Sequence, residues 1–227
     1  MAPNTSSVSL EPGSDPRIAR IARLVGPNSI SLVTTVSPDG VPNAAPFSFI
    51  MPCNYEPPMV CFVCGQQKHY KEFGYEPSKS DELLDTIKDT LVNIKATGEF
   101  VVTPVDRRLR STLMILEKPW RYGTNELKKA GLTTAPATKV RVPLIREAKI
   151  SLECRFTQMI PIRKMQLIIG EIVMIHAASE TIVNGTPDVA TIGPTFEGMH
   201  EHQYFELGPP ITLTRHRPYD YDELTRE

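Results

Sequence analysis

Residues 29–51 read SISLVTTVSPDGVPNAAPFSFIM. The β-prone run SISLVTTV meets the turn Ser37-Pro38-Asp39-Gly40 and gives way to the apolar run VPNAAPFSFIM, so residues 29 to 50 are expected to form a hairpin. Prolines 38 and 42 bracket that turn and Pro46 stiffens the second arm. The whole chain shares this character, with 21 prolines against 13 glycines in 227 residues, roughly twice the usual proline share of about 5%. Proline fixes φ and lacks an amide donor, so it gathers at turns and strand ends and disfavours a helical bundle. There is no Gly-X-Y period, and the apolar runs between prolines are long enough to build a core, which excludes collagen-like and low-complexity readings.

Outward from the hairpin, strands dominate. Pro57-Pro58 opens the run MVCFVC over residues 59 to 64, apolar at every position, which reads as a strand buried on both faces. A polar loop with His69, Tyr70 and Tyr75 follows; a helix then starts near Asp89 or Thr90, turns Leu91 and Ile94 inward and stops at Gly98. Residues 99 to 105 are valine-rich and extended; residues 107 to 117 and a short piece ending at Gly131 are helical. Two long strands span 148 to 160 and 165 to 176, with Gly170 marking a bulge or a close backbone approach. A last strand is expected within 203 to 214, and Asp15-Pro16 before RIARIARL predicts an early helix ending near Gly26. The fold class is therefore mainly β, six or more antiparallel strands in a closed or partly closed barrel with a few short peripheral helices.

Composition narrows the function. A formal charge of −1 and a pI near 6.5 lack the basic footprint of nucleic-acid binding, so no nucleic acid is expected as a partner. No apolar stretch is long enough to span a membrane, and the N-terminus has no apolar h-region, so a cytoplasmic location is expected. The organisation expected is a flexible tail over 1–14, one domain over 15–215 and a C-terminal tail over 216–227.

Four cysteines are present. Cys61 and Cys64 are three apart in a strand and point to opposite faces, so they cannot close on one ion; Cys154 falls on the apolar face of an alternating strand, and Cys53 has no assignment. His200 and His202, in GMHEHQYF, lie in one short loop near Glu197 and Glu201 with no second cluster to complete four ligands. No metal site is expected. His176 ends a long strand and reads as structural; Trp120 and Tyr122 read as loop anchors.

Two segments have chemistry that the residues alone leave open. Lys88 precedes a helix start, where backbone amides and the dipole favour an anion, a plausible phosphate cradle with the Thr90 hydroxyl; an ordinary capped helix beside a surface lysine is the plainer reading. In PNAAPFSFI the small Ala44 and Ala45 admit a flat ring and Ser48 offers a hydroxyl beside Phe47 and Phe49; a core strand with a proline kink is the alternative. Phe47 and Phe49 point to opposite faces, so at most one touches such a ring.

The order SLVTTVSPDGVPNAAPFSFIM, EPPMVCFVC, KDTLVNIKATGEFVV, AGLTTAPATKVRVPLIREAKISLECRF, LIIGEIVMIHA, from about residue 29 to 177, resembles the flavin reductase-like family. Lys88-Asp89-Thr90 and Ala45-Pro46-Phe47-Ser48 stand intact within it. The resemblance implies an FMN-binding split barrel and a homodimer with FMN at the subunit interface. It implies that NAD(P)H is the electron donor, with FAD a further flavin substrate and a monooxygenase or other acceptor as partner. It assigns Thr34, Thr35, Asn43, Ala45, Pro46, Phe47, Ser48, Phe49, Lys88, Asp89 and Thr90 to the flavin, with Lys88 and Thr90 on its phosphate. It places His200, His202 and Tyr204 near the nicotinamide or the flavin face. Hydride transfer is then the cofactor's chemistry, so no catalytic side chain is expected, in keeping with the absence of G-x-S-x-G, H-E-x-x-H and G-x-G-x-x-G. Two departures stand out. The loop after Cys64 is long, and TFEGMHEHQYF replaces the family's arginine-leucine-glycine-glycine segment. They leave a second implied function, an FMN-binding electron carrier or sensor without NAD(P)H activity.

Overall fold

A computed structural model of the chain describes residues 28–66, 87–198, 203–209 and 211. The expected helix before Gly26, the loop with His69 and Tyr75, His200 and His202 lie outside the described residues. After a short β1 (Asn28–Ser29), β2 (Ser31–Val36) and β3 (Pro42–Phe47) form the expected hairpin, in register from Ser31↔Phe47 to Val36↔Pro42. Its turn closes through the Ser37 amide donating to the Val41 carbonyl at 2.9 Å, and Gly40 supplies the positive φ of 83°.

The chain then bends at Ser48–Phe49 into β4 (Ile50–Tyr55), which pairs with β5 (Pro58–Gly65). β4 is a strand the sequence reading left out, running the second arm of the hairpin on to residue 50; Pro52 in IMPCNY is an unusual residue for a ladder position. The conflict vanishes at a sheet margin, where one side of a strand needs no partner. Next come α1 (Asp89–Thr97) and β6 (Glu99–Pro104). A 3-10 turn at Arg110–Thr112 leads into α2 (Leu113–Leu116), and α3 (Glu126–Lys129), β7 (Thr134–Ala135) and β8 (Leu144–Ile145) follow. The long strands are β9 (Ile150–Ile162) and β10 (Met165–Ala177). Beyond them lie β11 (Ile182–Val183), β12 (Thr186–Pro187), α4 (Val189–Ile192), β13 (Thr195–Glu197) and β14 (Tyr204–Glu206), the last being the expected C-terminal strand in shorter form.

Seven strands make one antiparallel sheet in the order β3-β2-β6-β9-β10-β5-β4. Its two margins, β3 and β4, are consecutive in the chain and are linked by the bend at Ser48–Phe49. The Val63 amide donates to the Phe49 carbonyl at 2.9 Å, which carries the β4–β5 ladder back to the bend, and the rings of Phe47 on β3 and Phe62 on β5 lie edge to face 4.9 Å apart. This is a split barrel. Both margin strands are proline-bearing: Pro42 and Pro46 in β3, Pro52 in β4.

Period-two alternation divides the core. Val33, Phe47, Phe62, Cys64, Phe100, Val102, Cys154 and Ile168 fill one face together with Leu91 and Ile94 of α1, which docks on the barrel through those two residues. Leu32, Ala44 and Val105 turn the other way and pack with Leu109, Leu113, Leu116, Leu127 and Ile145 beneath α2 and α3. A third cluster joins Val36, Val101, Val142 and Leu144. Cys61 and Cys64 face opposite ways, as the strand period requires, and α1 ends at Gly98 in the left-handed region with φ 71°. At Gly170 the β9–β10 register shifts and the Phe100 ring presses on the glycine, the close approach expected from sequence.

Candidate functional site

The barrel opening beside the bend gathers α1 and the hairpin. Lys88 is the N-cap of α1, extended at φ −60° and ψ 126°, and its side chain makes no capping hydrogen bond. Its own backbone holds it in place: its amide donates to the Gln66 carbonyl at 3.1 Å, and its carbonyl accepts from the Leu91 amide at 2.9 Å. The Lys88 ammonium stands 5.7 Å from the centre of the Phe47 ring. It also lies near Cys64, whose thiol burial pushes up to about 12 with the lysine charge opposing.

Thr35, Asn43 and Thr90 come together, although they lie on three elements. The Asn43 side-chain amide donates to the Thr35 hydroxyl at 3.1 Å and the Thr90 hydroxyl at 3.3 Å. Asn93, one turn further along α1, donates to Thr35 at 3.0 Å and accepts from the Tyr122 hydroxyl at 3.2 Å. Thr35, Asn43, Thr90 and Asn93 are all buried. The network therefore pins the first turn of α1 to the hairpin, with the Thr90 hydroxyl accepting from Asn43 and its own proton still able to donate. Asn93 and Tyr122 were not singled out as site residues from sequence. Asn93 does carry a signal, a polar residue between Leu91 and Ile94 on a helix meant to bury that side.

Burial raises the Tyr122 pKa, and the charges of Asp89 and Asp39 raise it further. Asp89 is buried at the start of α1. Ala45, Pro46 and Ser48 are half-buried along β3 and its bend. Phe47 is a core ring; Phe49 is exposed, with its carbonyl bonded to the Val63 amide of β5. Thr34 is separated from these residues, since it points to the opposite face from Thr35, and its buried hydroxyl has no partner among the described residues. Tyr204 is placed elsewhere too: it pairs with Glu197 and packs against the cluster under α2 and α3.

Two buried carboxylates hold the barrel's exterior. Glu126 at the start of α3 accepts from the Ala44 amide at 3.0 Å, satisfying a donor on the open edge of β3. Glu153 on β9 accepts from the amides of Thr138, Lys139 and Val140 at 2.7, 2.6 and 3.0 Å and contacts the His176 ring. Burial acts to raise the Glu153 pKa, but the three amides and the histidine outweigh it and hold the carboxyl below its ordinary value. His176 is thus tied to structure. Trp120 anchors its loop by donating from the indole nitrogen to the Ile115 carbonyl at 2.9 Å. No group of three or more metal-binding side chains occurs among the described residues, and no helix there is long and apolar enough to cross a membrane.

Residues 25–187 match the flavin reductase like domain. The chain belongs to that family. A protein of Aquifex aeolicus is 35% identical over 161 residues, spanning 71% of this chain and 74% of its own. Nitrilotriacetate monooxygenase component B from Bacillus cereus superposes with a TM-score of 0.77 at 24% identity, over 92% of this chain and 100% of that one. A Shewanella frigidimarina protein with a split barrel domain gives 0.71 at 16% identity, over 92% and 95%. At these identities the solved structures speak for the fold, and they agree with the split barrel traced above. Membership in the flavin reductase-like family makes a flavin the cofactor or substrate class.

Proposed function

We propose that this protein is a flavin reductase that binds FMN at the barrel opening, accepts electrons from NAD(P)H, and delivers them to flavin or to an acceptor such as a monooxygenase partner. The observation that carries the reading is the N-terminus of α1 beside the Lys88 ammonium, in a chain of this family. The first-turn amides, the positive end of the helix dipole and a lysine together suit a phosphate. Lys88 holds it by charge, and Asp89 and Thr90 offer backbone amides. The Asn43–Thr90 and Asn93–Thr35 bonds keep that turn fixed against the hairpin. The segment Ala45–Phe49 borders the flat ring, with the Ser48 hydroxyl at its polar edge. Bound flavin supplies the hydride chemistry; the chain supplies position and an apolar slot. The assembly is a homodimer, with His200 and His202 on the nicotinamide side.

A visible-absorbance titration with FMN, followed by anaerobic addition of NADH or NADPH, tests both parts. Micromolar FMN binding and rapid bleaching are expected; absence of FMN binding ends this reading. The replaced C-terminal segment TFEGMHEHQYF favours one alternative, a flavin-binding electron carrier or sensor. Binding without bleaching by either nicotinamide would establish it. FAD in place of FMN shows which flavin is preferred, and sedimentation reports the dimer.

A further inference from the structure

β4 is a sheet margin, and its ladder with β5 slips by one residue between Pro52 and Asn54, leaving Cys53 as the extra residue of a bulge. Met51 is the cross-strand partner of Cys61, and Cys53, two positions on, shares its face. Cys61 lies between Val60 and Phe62, which both belong to the barrel core, so its thiol points the other way. The two sulfurs are thus diagonal neighbours on the face of β4 and β5 turned away from that core. Burial pushes the Cys61 thiol up to about 11, and the neighbouring Cys53 thiol adds to the shift. Cys53 is exposed and Cys61 is buried. Cys64 and Cys154 lie within the core on the opposite face and do not compete for either sulfur.

We propose that Cys53 and Cys61 are an oxidisable dithiol, converted by a hydroperoxide into an intramolecular disulfide that staples the margin strand β4 to β5. Diagonal strand neighbours are about 7–8 Å apart at Cα, slightly beyond the usual disulfide limit of about 6.8 Å. The bulge supplies the slack, because its extra residue is not tied into the ladder. The exposed Cys53 thiolate attacks hydrogen peroxide; an S–O bond forms, the O–O bond breaks, and hydroxide leaves. The Cys61 sulfur then attacks the Cys53 sulfenic acid; the S–S bond forms, the S–O bond breaks, and the Cys61 proton departs with the hydroxyl as water. Overall, two thiols lose two electrons and two protons, and the peroxide becomes two waters. Because β4 continues directly from the Phe47–Phe49 segment, the staple fixes the margin strand that follows that segment to its neighbour β5.

The test is peptide mapping of the intact protein after hydrogen peroxide and alkylation of the remaining thiols. Chymotrypsin cuts after Tyr55 and after Phe62, which separates Cys53, Cys61 and Cys64 onto three fragments. The expected result is a Cys53–Cys61 linked pair, lighter by two hydrogens and released by dithiothreitol, with Cys64 and Cys154 still alkylatable after unfolding. In Cys61→Ser, the Cys53 sulfenic acid persists and is trapped by dimedone. A sulfinic or sulfonic Cys53 beside an intact Cys61 thiol in the native sequence overturns the proposal, as does a Cys53–Cys53 link between two molecules or an unreacted pair. None of these outcomes depends on flavin binding.

Discussion

Asn43 and Thr90, 47 positions apart in the chain, are joined by a hydrogen bond of 3.3 Å between a strand of the first hairpin and the opening turn of α1. The same asparagine amide reaches Thr35, and Asn93 closes the set. Four buried polar side chains thus satisfy one another where an apolar core would leave the helix free to slide. Such a network orients as well as stabilises, because each member is left unsatisfied if the helix shifts.

Asn43→Ala is expected to cost about 1 to 3 kcal/mol of stability, the scale of buried partners left unsatisfied. Asn93→Ala should cost a similar amount. Since both side chains donate to Thr35, the double variant should be non-additive, with a coupling of about 0.5 to 3 kcal/mol in urea denaturation. Strict additivity would mean that the network does not act as a unit.

Lys88→Ala should weaken FMN binding by about 1 to 3 kcal/mol, the worth of one charge-assisted hydrogen bond. An unchanged dissociation constant in the flavin titration would remove Lys88 from the phosphate.

Replacing His200 and His202 together with alanine should leave FMN affinity unchanged while slowing reduction by nicotinamide. Stopped-flow bleaching of bound flavin measures this, and equal rates in the two proteins would take both histidines out of the reaction.

Gly170→Ala is expected to destabilise the barrel by about 1 to 3 kcal/mol through overpacking. The new Cβ would stand 2.6 Å from Cε1 of Phe100 and 3.0 Å from the Arg155 carbonyl oxygen, and the Phe100 ring is fully buried with nowhere to swing. Phe100→Leu in the same chain should restore part of the loss in a thermal melt.

Glu153 makes stability depend on pH in the acid range. Its carboxyl titrates below its ordinary value of 4.5 in the folded chain, so unfolding at acid pH takes up a proton. The stabilisation is complete above the ordinary carboxylate range and is lost as pH falls through the depressed value. Glu153→Gln should lower stability at pH 7 by about 1.5 to 3 kcal/mol, the scale of hydrogen bonds to a charged group. It should also flatten the acid slope of the denaturation midpoint; an unaltered slope would show that the loop at Thr138–Val140 does not depend on the charge.

The hairpin, the buried strand, α1 with its Gly98 stop, the two long strands and the close approach at Gly170 were all legible in sequence, because each rests on local rules of periodicity, capping and turn chemistry that operate over a few residues. β4 was not. Pro52 forbids a ladder bond only where a partner is needed, and whether a strand lies at a margin is a property of the whole sheet. The same holds for the candidate site. Lys88-Asp89-Thr90 could be read as a helix start, but not that Thr90's hydroxyl is turned inward to Asn43, nor that Thr34 and Thr35 divide between two faces with different neighbours. Tyr204 shows the limit most plainly, since its place under α2 and α3 depends on β13 and β14 pairing far from the chain's beginning. By itself the sequence determined which elements form and to which family they belong. Only the tertiary structure decided which polar side chains meet, because hydrogen bonds between residues tens of positions apart depend on how the barrel closes.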